Sequence, residues 1–325
     1  MSDVRRLAAI DIGTVTTRLL IADVSESGID EVARSTDITH LGQDLTTTGR
    51  LAPEAITRVR DTVERYAEQI RELGVERVSA VATSASRDAA NGDELLAALR
   101  RLGVDVRIID GEDEARFSFA GAAWSVTGEG LLVVDVGGGS TELIFGSSRE
   151  GEGGAREASI EAMRSVDVGS RRITEMFLHG DPPSTAQLDE ARGHIAAAVR
   201  PFFDGLRSRA RTMVSLAGAA ATFAAIDMDL AEYDSQAVHL CSLSGARLSD
   251  LVTMLARLPL EKRRHVIGLH PERAPVIVGG GLVLETVLAL AGLDSTLVSE
   301  HDILYGILLG ALRRSRGGER ASTEG

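Results

Sequence analysis

Apolar positions in this chain recur with two periods, and the alternation between them outlines the fold. Leu7 to Ile12 is an apolar run broken only by Asp11, and Thr17 to Val24 is a second; both are expected to be buried strands. An extended segment follows to about Leu41. From Pro53 to Leu73 the period changes: Ala55, Val59, Val63, Tyr66 and Ile70 are spaced by three and four behind a proline, which predicts an amphipathic helix. Strand Val78 to Ala82, a polar turn Thr83 to Asp88, a helix from Asn91 to Leu102 and strand Val106 to Ile109 follow. Strands alternating with helices predict an α/β sheet. Residues 1–125 are expected to form one domain, 126–312 a second, and 313–325 a disordered tail. Gly146 to Ser159, rich in Ser, Gly and charge, is expected to be a mobile hairpin tip.

The two domains open on the same phrase. Ala9-Ile10-Asp11-Ile12-Gly13-Thr14-Val15-Thr16-Thr17-Arg18-Leu19 is answered by Val133-Val134-Asp135-Val136-Gly137-Gly138-Gly139-Ser140-Thr141-Glu142-Leu143, and Asp11 to Asp135 and Leu19 to Leu143 are both steps of 124 positions. Each copy predicts a strand ending in Asp, a tight small-residue turn and a returning strand. Such a turn exposes backbone amides and hydroxyls next to a carboxylate, which suits phosphate and its metal ion. Asp11, Gly13, Thr14 and Thr16 are phosphate-side candidates in the first copy, and Gly137, Gly138, Gly139 and Ser140 in the second. A single strand-end Asp is as well explained by turn capping. Two in register favour a shared phosphate or metal site in a cleft between duplicated halves. Glu142, two residues past Ser140 on the same strand face, can supply a second ligand beside Asp135, the alternative being an ordinary solvent-facing strand residue.

Two later turns, Val214-Ser215-Leu216-Ala217-Gly218 and Val276-Ile277-Val278-Gly279-Gly280-Gly281, share a grammar of strand, small-residue turn and helix start; a close-packed strand-to-helix corner explains each alone as well as a ligand does, and beside the doubled Asp-x-Gly phrase Gly218 is a further phosphate candidate. Glu112-Asp113-Glu114 falls where a helix begins. Acidic residues there complement the helix dipole, but one of them can also orient an attacking water. Arg87, on the polar turn after the third strand, is the first domain's best phosphate clamp, although a surface salt bridge explains it equally well.

Bulk properties narrow the field. A net charge of −13 argues against nucleic-acid binding by a basic surface, and Lys262 is the sole lysine, so any phosphate clamp is arginine or backbone. One cysteine, Cys241, excludes an internal disulfide, and the N-terminus lacks a signal-peptide pattern, so a cytoplasmic protein is expected. The apolar stretch Ala274 to Leu293 carries Glu285 and three consecutive glycines, and is expected to be buried rather than to span a membrane. The histidines His239, His265, His270 and His301 lack metal-ligand spacing.

The chain resembles the exopolyphosphatase / guanosine pentaphosphate phosphatase (Ppx/GppA) family in its short two-domain form, within the superfamily of actin, hexokinase and the heat-shock ATPases. The resemblance is carried by Asp11-Ile12-Gly13-Thr14, Ala82 to Ala89, Gly111-Glu112-Asp113-Glu114-Ala115-Arg116, Asp135 to Glu142, and Arg273-Ala274 through Gly281, and it spans Leu7 to Gly310. It implies two RNase H-like domains with a cleft between them. By that resemblance Glu114 is the catalytic glutamate, Asp135 and Glu142 hold Mg²⁺ or Mn²⁺, and Arg87 with Gly137 to Ser140 holds the phosphoryl group. The implied reaction removes the terminal phosphate of inorganic polyphosphate, or the 5′ terminal phosphate of guanosine pentaphosphate to leave the tetraphosphate, and a homodimer is expected. The strong acidity favours short chains over long polyanions. Val15, His40, Ala219 and Tyr305 stand where the family carries polar or charged groups, which keeps a non-catalytic polyphosphate or alarmone binder as an alternative. A kinase of the same superfamily is the other.

Overall fold

The structure is a computed structural model that describes residues 4–25, 28–151 and 156–323. The chain divides into two compact units. Unit 1 takes Met1–Thr127, Arg149–Ala158 and Asp302–Gly325; unit 2 takes Gly128–Ser148 and Ser159–His301. The change of unit at residue 128 lies close to the expected boundary. The return of the chain to unit 1 at Asp302 does not follow the expected division, which kept 126–312 together.

Unit 1 contains β1 (Arg5–Ile12), β2 (Thr16–Val24), β3 (Ile29–Ile38), α1 (Leu45–Thr48), α2 (Pro53–Glu72), β4 (Arg77–Ala82), α3 (Ser84–Asp88), α4 (Gly92–Arg100), β5 (Val106–Ile108) and α5 (Gly111–Ser125). Its sheet runs β3-β2-β1-β4-β5, with β1 antiparallel to β2 and parallel to β4. Both faces of β1 are buried, which is why its sequence reads as a continuous apolar run. Ala8, Ile10 and Ile12 pack in a core with Val59, Val63 and Tyr66 of α2. Leu7 and Ala9 point the other way, into a core with residues of the C-terminal helix such as Ile303, Leu304, Ile307 and Leu308.

Unit 2 contains β6 (Gly128–Val136), β7 (Thr141–Glu150) up to Ser148, β8 (Arg156–Val166) from Ser159, α6 (Ser170–Phe177), α7 (Thr185–Asp204), β9 (Thr212–Leu216), α8 (Ala217–Asp227), α9 (Ser235–Val238), β10 (Cys241–Ser244), α10 (Gly245–Arg257), α11 (Leu260–Arg263), α12 (Ile277–Ala291) and β11 (Ser295–Val298). Its sheet order is β10-β11-β9-β6-β7-β8. Read from the other edge, β8-β7-β6-β9-β11 repeats β3-β2-β1-β4-β5: the hairpins are antiparallel, and the next two strands are parallel in both units. The duplicated phrase is thus part of a duplicated sheet, the α/β architecture of paired RNase H-like domains.

Three expectations need correction. Val276 to Gly281 does not form strand and turn: α12 begins at Ile277 and runs through all three glycines. Their missing side chains serve packing instead, because a Cβ on Gly279 would lie 2.4 Å from the Ser170 carbonyl oxygen and one on Gly281 2.5 Å from the Phe223 ring. In the C-terminal segment α13 runs Ile303–Thr323, past the residue 313 at which the disordered tail is expected to begin. The proposed hairpin tip is shorter than Gly146 to Ser159, since β7 continues to Glu150, β8 starts at Arg156 and Arg149 pairs with Glu157 at 2.6 Å. Residues 152–155 of that tip and residues 324–325 lie outside the described residues.

Candidate functional site

The two turns are built alike, down to corresponding backbone atoms. In unit 1 the Gly13 N–H donates to the Thr16 carbonyl at 2.8 Å; in unit 2 the Gly137 N–H donates to the Ser140 carbonyl at 3.0 Å. The next two carbonyls are pinned from outside in both. Thr14 O accepts from Gly42 N–H and Val15 O from the amides of Thr39 and His40, each at 2.9 Å. Likewise Gly138 O accepts from the amides of Arg171 (2.9 Å) and Arg172 (3.1 Å), and Gly139 O accepts from Arg172 Nε at 2.7 Å. Among the described residues, the amides of Thr14, Val15, Gly138 and Gly139 donate to no protein acceptor. Such an arrangement is an amide nest for an anion. Val15 therefore costs the first turn a polar side chain but not its backbone cradle.

Close approach explains why glycine is needed in the second turn's support. A Cβ on Gly169 would lie 2.5 Å from both the carbonyl carbon and oxygen of Gly138, so this position lets α6 reach the turn. In unit 1 Gly42 has that role, since a Cβ there would lie 2.3 Å from Thr14 Cγ2.

The carboxylates beside the turns have different surroundings. Asp135 and Glu142 are register partners on β6 and β7, are 6% and 1% exposed, and face away from the main core of unit 2. Ser165 Oγ donates to Glu142 Oε1 at 2.7 Å. Like charges directly opposed on a sheet repel, a cost that a cation near them would offset. Asp11 instead faces Arg18, its own register partner. Arg18 Nε and Nη2 donate to Asp11 Oδ2 at 3.1 and 2.6 Å, and Nη1 pairs with Asp302 at the start of α13. Among the described residues, Asp11 Oδ1 is buried without a hydrogen-bond partner. Burial pushes the Asp11 carboxyl above the usual carboxylate range; Arg18 opposes this and Asp302 adds to it.

That direction has a consequence for stability. Between the ordinary value of 3.8 and the raised one, the folded chain holds a proton that the unfolded chain has released, so this group's contribution falls as pH rises through the window. Asp11→Asn should remove that falling component, making the slope of unfolding free energy against pH more positive in the acid range; an unchanged pH slope, from denaturant titrations at several pH values, would refute the assignment.

Among the three acidic residues at the start of α5, the fold distinguishes one. Asp110 caps the helix by accepting from Asp113 N–H at 2.8 Å. Glu112 is exposed and lies 3.6 Å from Arg116, whereas Glu114 is buried at 8% exposure. Arg87, at the end of α3, donates to the Ile109 carbonyl at 2.8 Å and reaches Glu114 Oε2 at 3.4 Å. Two candidates that sequence reading placed apart are neighbours within unit 1.

Gly218 is closely packed, as the alternative to a ligand role expects. A Cβ there would lie 1.6 Å from Arg273 Nη1, so the glycine makes room for a guanidinium at the start of α8. Ala217 takes φ of 63° to turn the chain from β9 into that helix. Ala219 packs its methyl group toward Gly280, and Tyr305 donates to Glu31 Oε1 at 2.8 Å, which ties α13 to β3. Arg18 and Asp302, beside Asp11, and Arg273, beside Gly218, were not among the candidates read from the sequence. For Arg18 a signal was present: the 124-residue offset aligns it with Glu142.

Among the described residues, no three or more His, Cys, Asp or Glu side chains are arranged to hold a metal ion. No described helix is long and apolar enough to cross a membrane.

Comparison with known proteins agrees with this architecture. The chain is 39% identical to exopolyphosphatase 2 of Mycobacterium tuberculosis over 321 residues, covering 94% of this chain and 98% of that protein. It superposes on the crystal structure of an exopolyphosphatase-like protein with a TM-score of 0.89 at 36% identity, covering 96% and 98% of the two chains. The Ppx/GppA family member of Aquifex aeolicus gives a TM-score of 0.77 at 30% identity over 96% and 99%. The model of the Ppx/GppA phosphatase family matches residues 20–314. With the duplicated sheet, the paired turns and a family match over most of its length, this chain belongs to the Ppx/GppA phosphatase family.

Proposed function

We propose that the protein is an exopolyphosphatase, using water to remove the terminal phosphate of inorganic polyphosphate, with short chains preferred. The observation that carries this reading is the Gly137–Ser140 turn: its carbonyls are pinned, two amides have no protein acceptor, and a buried carboxylate pair flanks it. The similarity to exopolyphosphatase 2 supports the substrate class.

In this reading the amides of Gly138 and Gly139, with Ser140, cradle the terminal phosphoryl group, and Asp135 with Glu142 holds Mg²⁺ or Mn²⁺. Two carboxylates suffice for Mg²⁺, which keeps several waters and takes further oxygens from substrate phosphate. When bound, the ion offsets charge on the phosphoryl oxygens. Glu114 accepts the proton of the attacking water, and Arg87 offsets negative charge on the phosphoryl oxygens. The first turn, with Asp11, Gly13, Thr14 and Thr16, and the corner at Gly218 contribute to phosphate binding. Positioning and electrostatics supply most of the rate enhancement.

Phosphate release from tripolyphosphate, long-chain polyphosphate and guanosine pentaphosphate, measured side by side with Mg²⁺ and with excess EDTA, tests the proposal. Metal-dependent release, fastest from tripolyphosphate, is expected. Preference for the nucleotide would move the protein to the family's other activity, and transfer of phosphate from ATP to an acceptor without free phosphate would identify a kinase. Tight polyphosphate binding without turnover would leave a sensor.

A further inference from the structure

The sibling hairpins differ in charge at one equivalent position. Residue 18 stands opposite Asp11 on β2, and residue 142 stands opposite Asp135 on β7. Directly opposed residues of an antiparallel pair present their side chains on one face, close enough to interact. The second hairpin therefore sets carboxylate against carboxylate, while the first sets carboxylate against guanidinium.

Arg18 is well placed to act as a cation within the fold. Its side chain is 13% exposed, and it joins Asp11 and Asp302, whose side chains are 7% and 5% exposed. Asp302 also accepts from Leu304 N–H at 3.0 Å, which caps the first turn of α13. By strand alternation Asp11 shares a face of β1 with Leu7 and Ala9, the face that α13 covers. The guanidinium thus connects the strand end that opens the Gly13–Thr16 turn to the start of the helix packed beneath it. A buried carboxylate pair at this place would require a cation, and a side chain supplies it.

We propose that Arg18 is the first hairpin's internal replacement for a divalent ion: a positioning residue that commits Asp11 and Asp302 to the fold and limits the chain to one divalent cation, held at the second hairpin. The location of that one ion rests on the proposed function. The role of Arg18 can be tested apart from it.

The test counts bound Mn²⁺ by equilibrium dialysis and paramagnetic resonance, and measures thermal unfolding with and without Mn²⁺. Wild type should bind one ion per chain. Arg18→Glu, which copies the charge pattern of the second hairpin beside Asp302, should bind one more ion than wild type and should regain with Mn²⁺ much of the Tm it loses without it. Arg18→Met should lose Tm without gaining a site or a larger Mn²⁺ response. If Arg18→Glu folds only with Mn²⁺ present, refolding in the ion permits the same count. An Arg18→Glu protein with no more ions than wild type overturns the proposal, as does a wild type that binds two. The double variant Asp135→Asn with Glu142→Gln provides an independent check: it should bind none, and an ion retained at the hairpin that Arg18 should close counts against the proposal. A wild type with no ion, alongside an Arg18→Glu variant with one, would reject the metal assignment at the second hairpin and leave the role of Arg18 intact.

Discussion

Changing Glu114 to glutamine is expected to lower kcat on polyphosphate by about 10²–10⁴-fold, the range typical of removing a general base, while changing KM by only about threefold. Glutamine preserves the size of a side chain that is 8% exposed and keeps an oxygen for Arg87, now 3.4 Å from Glu114 Oε2. Thermal unfolding should therefore stay close to wild type, so that lost turnover reflects lost proton acceptance. Glu112→Gln is the matched control, since that side chain is exposed near Arg116 and should leave kcat unaffected. Near-normal turnover by Glu114→Gln would remove Glu114 from the chemistry.

The largest stability effect is expected from Gly306→Ala, at about 3 kcal/mol or more, the upper part of the range for overpacking. Two influences oppose each other. Alanine in place of a helical glycine gains about 1 kcal/mol of propensity, but a Cβ here would lie 1.9 Å from the Phe117 carbonyl oxygen and 2.6 Å from its carbon. Backbone cannot swing aside as a long side chain can, so the steric cost wins. The contact is reciprocal: a Cβ on Gly121 of α5 would lie 1.9 Å from the carbonyl oxygen of Asp302. The two glycines let α5, which carries Glu114, meet the start of α13, where the partner of Arg18 stands. Gly310→Ala should stay within about 1 kcal/mol of wild type, because its nearest neighbour is the movable Phe117 ring at 3.2 Å. Urea unfolding of the three proteins decides the matter, and a stable Gly306→Ala would mean that the helices are less closely seated than described.

Much of the candidate site's local geometry was legible because its signals are short in range. The Asp-x-Gly phrase encodes a turn within a few residues, and its repetition after 124 positions encodes the duplicated sheet. Pro53 and the spacing of Ala55, Val59, Val63, Tyr66 and Ile70 suffice for α2, because one helix face repeats every three to four residues. Glycine was harder to read. Gly279 to Gly281 look like a turn by composition, yet their purpose is close passage of α12 beside Ser170 and Phe223, both remote in sequence. Propensity is a local preference, and tertiary packing overrides it at such positions.

By itself the sequence determined the family, the α/β class, the two sibling turns and the short roster of side chains from which a phosphate site can be made. Which acid among Glu112, Asp113 and Glu114 is buried, that Arg87 lies against it, that Arg18 bridges Asp11 to Asp302 and that Arg273 fills the space over Gly218 were decided only by tertiary structure. The physical reason is range. Turn geometry and amphipathic period arise from neighbours along the chain, whereas burial and charge pairing depend on segments such as Arg18 and Asp302, brought together only when the C-terminal helix returns to the first sheet.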